Sequence, residues 1–211
     1  MENIKKKFEL LQENALFPKQ NSSDIKEHLI TLYHYASQCN SVFETGVRGC
    51  VSSWAFVYGL LSNNNGIKKK MLCNDIDICN INELLETTKL LNIEINYIWK
   101  NNLSIDINEN YDITFIDTWH VYGQLKRELE KFSKITNKYI IMHDTTIDGE
   151  IGESVRCKYN ITQQSIDSGI PEDEIYKGIW FAIEEFLEKN NNWYLVERFT
   201  NNNGLTIIGR K

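Results

Sequence analysis

The stretch TFIDTWHVYGQL, residues 114–125, puts an acid, an indole and an imidazole within four positions: Asp117, Trp119 and His120. Asp117 ends an apolar run, and Trp119 offers an apolar plane for a purine or a substrate to pack on. A neutral imidazole accepts a proton near pH 7, because its unperturbed pKa is about 6.5, so His120 is a candidate general base. A second run, KYIIMHDTT (138–146), ends on His143 and Asp144. Two carboxylates and an imidazole can hold a divalent metal, or they can hold one another in a hydrogen-bond network. The residue types leave both open.

Two upstream features suit a nucleotide-like ligand. In VFETGVRGCVSS (42–53) an apolar run ends on Glu44, Gly46 and Gly49 follow, and a helix opens near Val51. Glycines let backbone approach a ligand, and a helix start offers unpaired N–H groups. Asp75 closes KKKMLCND, where an acid can accept both hydroxyls of a ribose; Asp77 stands two residues on.

These residues need elements to hold them. Short apolar runs predict strands near 41–45, 70–75, 94–98, 112–117 and 138–143, with helices near 51–62, 82–91 and 122–134 between them. That βαβ rhythm implies a parallel sheet covered on both faces, with strands four and five adjacent, so that Asp117, His143 and Asp144 converge at one edge. WYLVERFT and GLTIIGRK around the turn-prone NNNG predict a closing antiparallel hairpin, after a helix in YKGIWFAIEEFLEK. Residues 1–40 read as a helical appendage, with cap candidates at Ser22, Ser23 and Asp24, and 41–211 as the main domain. The polar segment 145–175 breaks the rhythm and reads as a lid or substrate-recognition insert, in which Arg156 and Lys158 are candidates to meet a phosphate or carboxylate.

Composition narrows the class. With 211 residues, the chain suits one α/β domain with a sizeable core. A net charge of −6 argues against broad contact with a nucleic-acid backbone, and IKKK (67–70) reads as a solvated edge. No apolar run is long enough to span a bilayer. MENIKKKFELL lacks the apolar core of a secretory signal, so a cytoplasmic location is the expectation. Five cysteines without CxxC pairs read as reduced thiols. Oligomeric state is not legible, and a homo-oligomer stays open.

Taken together, these motifs resemble those of class I S-adenosylmethionine-dependent methyltransferases. ETGVRG is similar to their cofactor loop, with Arg48 and Cys50 where E-x-G-x-G-x-G has its later glycines. FIDTWHVYGQLKREL resembles the F-I-D-G-D-H-x-Y-x-x-V-x-x-D-L stretch of a group containing sugar and antibiotic-tailoring enzymes. Asp117, His120, Tyr122 and Leu129 match, and Glu128 replaces the later acid. The D-x-W spacing is also similar to catechol-type, magnesium-dependent O-methyltransferases.

The resemblance implies a Rossmann-like, mostly parallel seven-stranded sheet with its last strand antiparallel and helices on both faces. It implies S-adenosylmethionine held by Glu44, Gly46, Gly49, Asp75, Asp117 and Trp119, with His120 as base. It further implies Mg2+ or another divalent cation at Asp117 and Asp144, with His143 standing where those enzymes carry a carboxylate. The expected acceptor is a small hydroxylated molecule, such as a sugar or nucleotide-linked sugar, with no nucleic acid and no membrane. Two alternatives remain: a binding module of this fold without turnover, favoured by the altered loop, and a nicotinamide-dependent oxidoreductase, which should show a GxGxxG that is absent.

Overall fold

The computed structural model describes residues 1–16 and 23–211; Pro18 and the cap candidate Ser22 lie outside the described residues. Seven strands run as β1 (Ser41–Thr45), β2 (Lys69–Asp75), β3 (Ile93–Trp99), β4 (Tyr111–Ile116), β5 (Thr136–His143), β6 (Trp193–Phe199) and β7 (Leu205–Arg210). They form one sheet in the order β3-β2-β1-β4-β5-β7-β6, with β7 antiparallel to both its neighbours. Each expected strand is present. The architecture is the Rossmann-like one that the resemblance implied, and its parallel strands are those the βαβ rhythm predicts. The chain divides into two compact units, Met1–Ile116 and Asp117–Lys211.

In the first unit, β1 lies parallel between β2 and β4, and β3 lies parallel on β2. Val42–Thr45 are all buried, which is why β1 reads as a continuous run rather than an alternation. The registers Thr45↔Asn74, Thr45↔Ile116 and Asp75↔Trp99 bring the carboxyl ends of all four strands to one edge, where open α/β sheets bind ligands. Helices α1 (Glu2–Leu16) and α2 (Leu29–Ala36) pack on α3 (Val51–Ser62), whose own surface is buried almost all round, and α4 (Asn82–Thr88) links β2 to β3. Phe8, Tyr33 and Tyr58 knit them together, with ring centroids 4.8–5.6 Å apart. One expectation fails here. Lys69 of the IKKK cluster is buried, and its ammonium donates to Asn40 Oδ1 (2.7 Å) and Asn65 Oδ1 (2.6 Å). The strand's alternation turns this lysine inward while Lys68 and Lys70 stay exposed.

The second unit starts with α5 (Tyr122–Phe132), which buries Leu125, Leu129 and Phe132 along one stripe. β7 is buried from Leu205 to Gly209 and pairs Ile207 with Ile141 and Ile208 with Ile140 on β5. Fully burying each such aliphatic contributes about 1.5–3 kcal/mol, so the final hairpin is part of the core.

The 145–175 segment is not an irregular loop. It carries α6 (Glu153–Arg156), α7 (Ile161–Ser168) and α8 (Glu172–Tyr176), and α9 (Trp180–Lys189) follows. Its two ends are stitched by Gly152 N–H to Tyr176 O (3.0 Å), Gly178 N–H to Glu150 O (3.1 Å) and Ile179 N–H to Asp148 O (2.9 Å). Ile170 and Ile175 fix it on Val121. These helices lack a sequence signal because α6 is a single turn and α7 buries no residue. All five cysteines are free thiols, and no helix among the described residues is long and apolar enough to cross a membrane.

Candidate active site

The loop after β1 departs from the glycine pattern in sequence but keeps it in conformation. Gly46 (φ 90), Arg48 (φ 45) and Cys50 (φ 59) all take the left-handed region, at the three positions where E-x-G-x-G-x-G has glycine. Gly49, the other glycine of the motif, has open space around its α-carbon. Glu44 is fully buried and accepts hydrogen bonds from Ser52 Oγ and from Ser53 Oγ (2.5 Å), both in the first turn of α3. Its carboxylate therefore ties the end of β1 to the start of α3 and sets the span that the loop must bridge. Burial first, and then the Glu44 charge, push the Cys50 thiol up to about 12, so it is not a nucleophile at neutral pH.

Asp75 completes this half. Its Oδ2 accepts from Val47 N–H (2.9 Å) and Arg48 N–H (3.0 Å), and its Oδ1 from Asp77 N–H (2.9 Å). The acid read as a ribose acceptor thus also holds the loop's left-handed turn in place. Behind it, Asn74 accepts from Thr45 Oγ1 and donates to the carbonyls of Ile98 and Lys100, fixing the edge of the sheet. Sequence reasoning passed over one feature here. Trp99 donates its indole N–H to Ile76 O (2.8 Å), and Ile76, Ile78 and Trp99 stay 60–72% exposed. The signal is present, since Ile76 directly follows β2 and Trp99 ends β3 at the ligand-binding edge, with Ile78 two residues further along.

In the second unit, Asp117, His143 and Asp144 converge as strand order implied, and His120 and two further acids join them. His120 Nε2 lies 3.2 Å from Asp117 Oδ1, and His120 Nδ1 lies 3.1 Å from Asp144 Oδ2, 3.5 Å from Glu153 Oε2 and 3.6 Å from Asp148 Oδ2. His143 Nδ1 lies 3.4 Å from both Asp117 Oδ1 and Asp144 Oδ1. Burial opposes an imidazolium at His120. Hydrogen bonds to Asp117 and Glu153, with the charges of Asp144 and Asp117, outweigh burial and hold its pKa well above the usual 6.5. His143 is raised for the same balance of reasons, with Asp117 as its main partner. Burial raises Asp117, yet its hydrogen bonds to both imidazoles win and hold its carboxyl below the usual range.

The surroundings fix this cluster. Glu128, fully buried on α5, accepts from Thr118 Oγ1 (2.6 Å) and Gln124 Nε2 (2.8 Å), which pins the turn between Asp117 and His120. Trp119 donates its indole N–H to Ser154 Oγ (2.9 Å) and packs on Val121, Ile170 and Ile175, so it anchors the insert. Arg156 is not available to an anion in the way the sequence suggested. Its Nε and Nη2 grip Asp148 Oδ1 (2.6 Å) and Oδ2 (2.9 Å), a bidentate pairing that takes up the guanidinium fork. Asp148 follows Asp144 by one helical turn, which is the signal that could have found it.

The donor set fits a cation. Asp117, His120 and Asp144 each offer a ligand atom, and these atoms lie within 4.8 Å of one another. Two carboxylates with imidazole nitrogen beside them are a recurrent donor chemistry for divalent ions.

No protein-family model matches this sequence, and neither does any curated protein. Solved structures do. The O-methyltransferase TomG from Streptomyces achromogenes, involved in tomaymycin synthesis and solved with S-adenosylmethionine, is 12% identical with a TM-score of 0.58, over 100% of this chain and 90% of that one. An O-methyltransferase from Bacillus cereus solved with S-adenosylhomocysteine is 14% identical with a TM-score of 0.56, over 98% and 91%. The N-methyltransferase NodS from Bradyrhizobium japonicum WM9 is 12% identical with a TM-score of 0.56, over 89% and 96%. The fold is that of the class I S-adenosylmethionine-dependent methyltransferases. Since oxygen- and nitrogen-directed enzymes share it, the acceptor must be argued from the site.

Proposed function

We propose that the protein is an S-adenosylmethionine-dependent O-methyltransferase acting on a hydroxyl of a small molecule, with a divalent ion assisting. The observation that carries this reading is His120 held between Asp117 and Asp144, an imidazole fixed among carboxylates directly after β4 of a methyltransferase fold. S-adenosylmethionine, when bound, supplies an electrophilic methyl on a sulfonium, and a divalent ion lowers the pKa of a hydroxyl that it touches. The chain's own residues supply the rest. Gly46, Arg48 and Cys50 shape the cofactor loop, Glu44 sets its span, and Asp75 receives the ribose. Gly49 leaves open space for the cofactor's close approach. Ile76 and Trp99 give an adenine an apolar wall that is otherwise exposed to water.

Asp117 and Asp144 would hold the ion with an imidazole beside them. His120 lies with them inside a 4.8 Å cluster of ligand atoms, and His143 Nδ1 stands 3.4 Å from both carboxylates. Giving the ion to His143 leaves His120 to take the hydroxyl proton. In the metal-free protein the carboxylates around His120 hold it protonated; a divalent ion on Asp117 and Asp144 would offset their charge and free the imidazole to accept a proton, a role that contributes about 10²–10⁴-fold. In this reading Trp119 braces the insert from one edge and limits the space over the acceptor. Of the insert's two candidate phosphate contacts, Arg156 is already paired with Asp148 and Lys158 is exposed, so both a sugar-like polyol and its nucleotide-linked form belong among the acceptors tested. Transfer of labelled methyl from S-adenosylmethionine to a panel of hydroxylated acceptors, with and without Mn2+ or Mg2+, tests the proposal. Label incorporated into a hydroxyl supports it, and label appearing only on amines overturns it.

A further inference from the structure

The two imidazoles of the second unit differ in what fixes them. His120 has a carboxylate oxygen close to each ring nitrogen, 3.2 Å at Nε2 and 3.1 Å at Nδ1. His143 has a backbone carbonyl on one side: its Nε2 lies 3.1 Å from Asn202 O. A carbonyl oxygen only accepts, so Nε2 keeps its proton, and Nδ1 is the nitrogen that would yield its proton to an ion. That nitrogen faces Asp117 Oδ1 and Asp144 Oδ1, both at 3.4 Å. One ring nitrogen donating to a carbonyl while the other faces the ion is how metal-ligating histidines are generally oriented.

The carbonyl is itself held in place. Asn202, Asn203 and Gly204 have φ of 46, 68 and 99, which coils the NNNG turn tightly. Asn203 O accepts from Thr146 N–H and Ile147 N–H, both at 2.9 Å, so the turn is docked on the chain that leaves β5. The hairpin turn thereby sets the tautomer and tilt of His143.

Resting on the metal-assisted reading above, we infer that the ion is bound by a mixed nitrogen–oxygen set, His143 Nδ1 with the Asp117 and Asp144 carboxylates, oriented by the Asn202 carbonyl, and that the centre takes a first-row transition ion in preference to Mg2+. Imidazole suits borderline transition ions, whereas Mg2+ favours carboxylate and water oxygens in near-octahedral array. A carboxylate in place of His143 would give the all-oxygen set; the imidazole is what tips this chain the other way.

Pulsed electron paramagnetic resonance on Mn2+-loaded protein tests the inference without reference to turnover. Imidazole nitrogen modulation should appear, and it should change when the histidines carry 15N. It should persist in H120Q and vanish in H143E, and H143E should narrow the Mn2+ over Mg2+ preference at least tenfold. The unsubstituted protein carries the primary result, so the test survives if H143E does not fold. Bound Mn2+ without nitrogen modulation overturns the inference, as does failure to take up Mn2+. Modulation lost in H120Q but kept in H143E also overturns it. S-adenosylhomocysteine binding on the same preparation separates the two readings. If it binds while Mn2+ sees only oxygen, the ligand assignment fails and the methyltransferase reading stands; if it does not bind, the latter fails whatever the spectrum shows.

Discussion

His143 and Asn202, 59 positions apart, are joined by a hydrogen bond of 3.1 Å from the imidazole Nε2–H to the backbone carbonyl. The turn that carries Asn202 closes on Gly204, where φ is +99 and an added Cβ would come within 2.5 Å of the Thr146 backbone nitrogen. Gly204→Ala should therefore shift the turn and release His143. Expected are a loss of about 1–3 kcal/mol of stability and at least a tenfold weaker Mn2+ affinity by calorimetry. Unchanged Mn2+ affinity in the folded variant would disconnect the turn from the centre.

Arg48 holds a left-handed backbone that glycine adopts freely, and its side chain is 83% exposed, paired only distantly with Asp24. Arg48→Gly should relieve strain of about 1–2 kcal/mol, offset in part by about 0.5–1 kcal/mol from glycine's freer unfolded chain, raise the melting temperature slightly, and leave cofactor affinity within a factor of about three. A marked drop in S-adenosylhomocysteine affinity would instead make the guanidinium a direct ligand contact.

Trp99 and Ile76 form an exposed apolar edge beside Asp75. Trp99→Ala should weaken S-adenosylhomocysteine binding about tenfold, equivalent to about 1.4 kcal/mol, with little change in melting temperature because the ring is solvent-facing. Binding indifferent to this change would remove Trp99 from the adenine wall.

The imidazoles make stability depend on pH in a defined direction. His120 and His143 are raised above the value of about 6.5 that they have in an unfolded chain. The folded protein therefore holds more protons than the unfolded chain at and above that pH. Their contribution is complete below about pH 6.5 and drains away as pH rises through the folded pKa values. Asp117 is lowered, so its contribution is present above about pH 3.9 and is lost on acidification. Metal-free protein should thus melt at a lower temperature as pH is raised from 6.5 to 9, and saturating Mn2+ should flatten that slope. A melting temperature independent of pH in this window would contradict the cluster's electrostatics.

Replacing the proton acceptor should separate binding from chemistry. His120→Gln should lower turnover by about 10²–10⁴-fold while leaving S-adenosylhomocysteine affinity near that of the unsubstituted protein. Full turnover in the variant would move the base elsewhere.

Much of the scaffold was legible because parallel strands buried on both faces leave continuous apolar runs, and those runs end where the chemistry sits. Asp117, His143 and Asp144 each stand at or one residue past a strand end, so their convergence followed from strand order. What the sequence hid was of three kinds. Asp148 and Glu153 reach His120 because the insert folds back on itself through backbone bonds that have no residue signature. Asn202 acts through a carbonyl that any residue would offer, and only the left-handed turn reveals it. Arg48 and Cys50 look like a broken glycine loop, yet with the grip of Asp75 on Val47 and Arg48 the loop keeps its left-handed path without the two later glycines. Lys69 misled for the converse reason, because one residue of a charged run faced inward with the strand's alternation.

The central claim is that this chain binds the methyl donor through the loop at Gly46–Cys50 and Asp75. Isothermal titration of the folded protein with S-adenosylhomocysteine tests it most directly. One saturable site, weakened at least tenfold by Asp75→Ala with the fold intact by circular dichroism, is the predicted result. No heat of binding from well-folded protein, or binding untouched by Asp75→Ala, would contradict it.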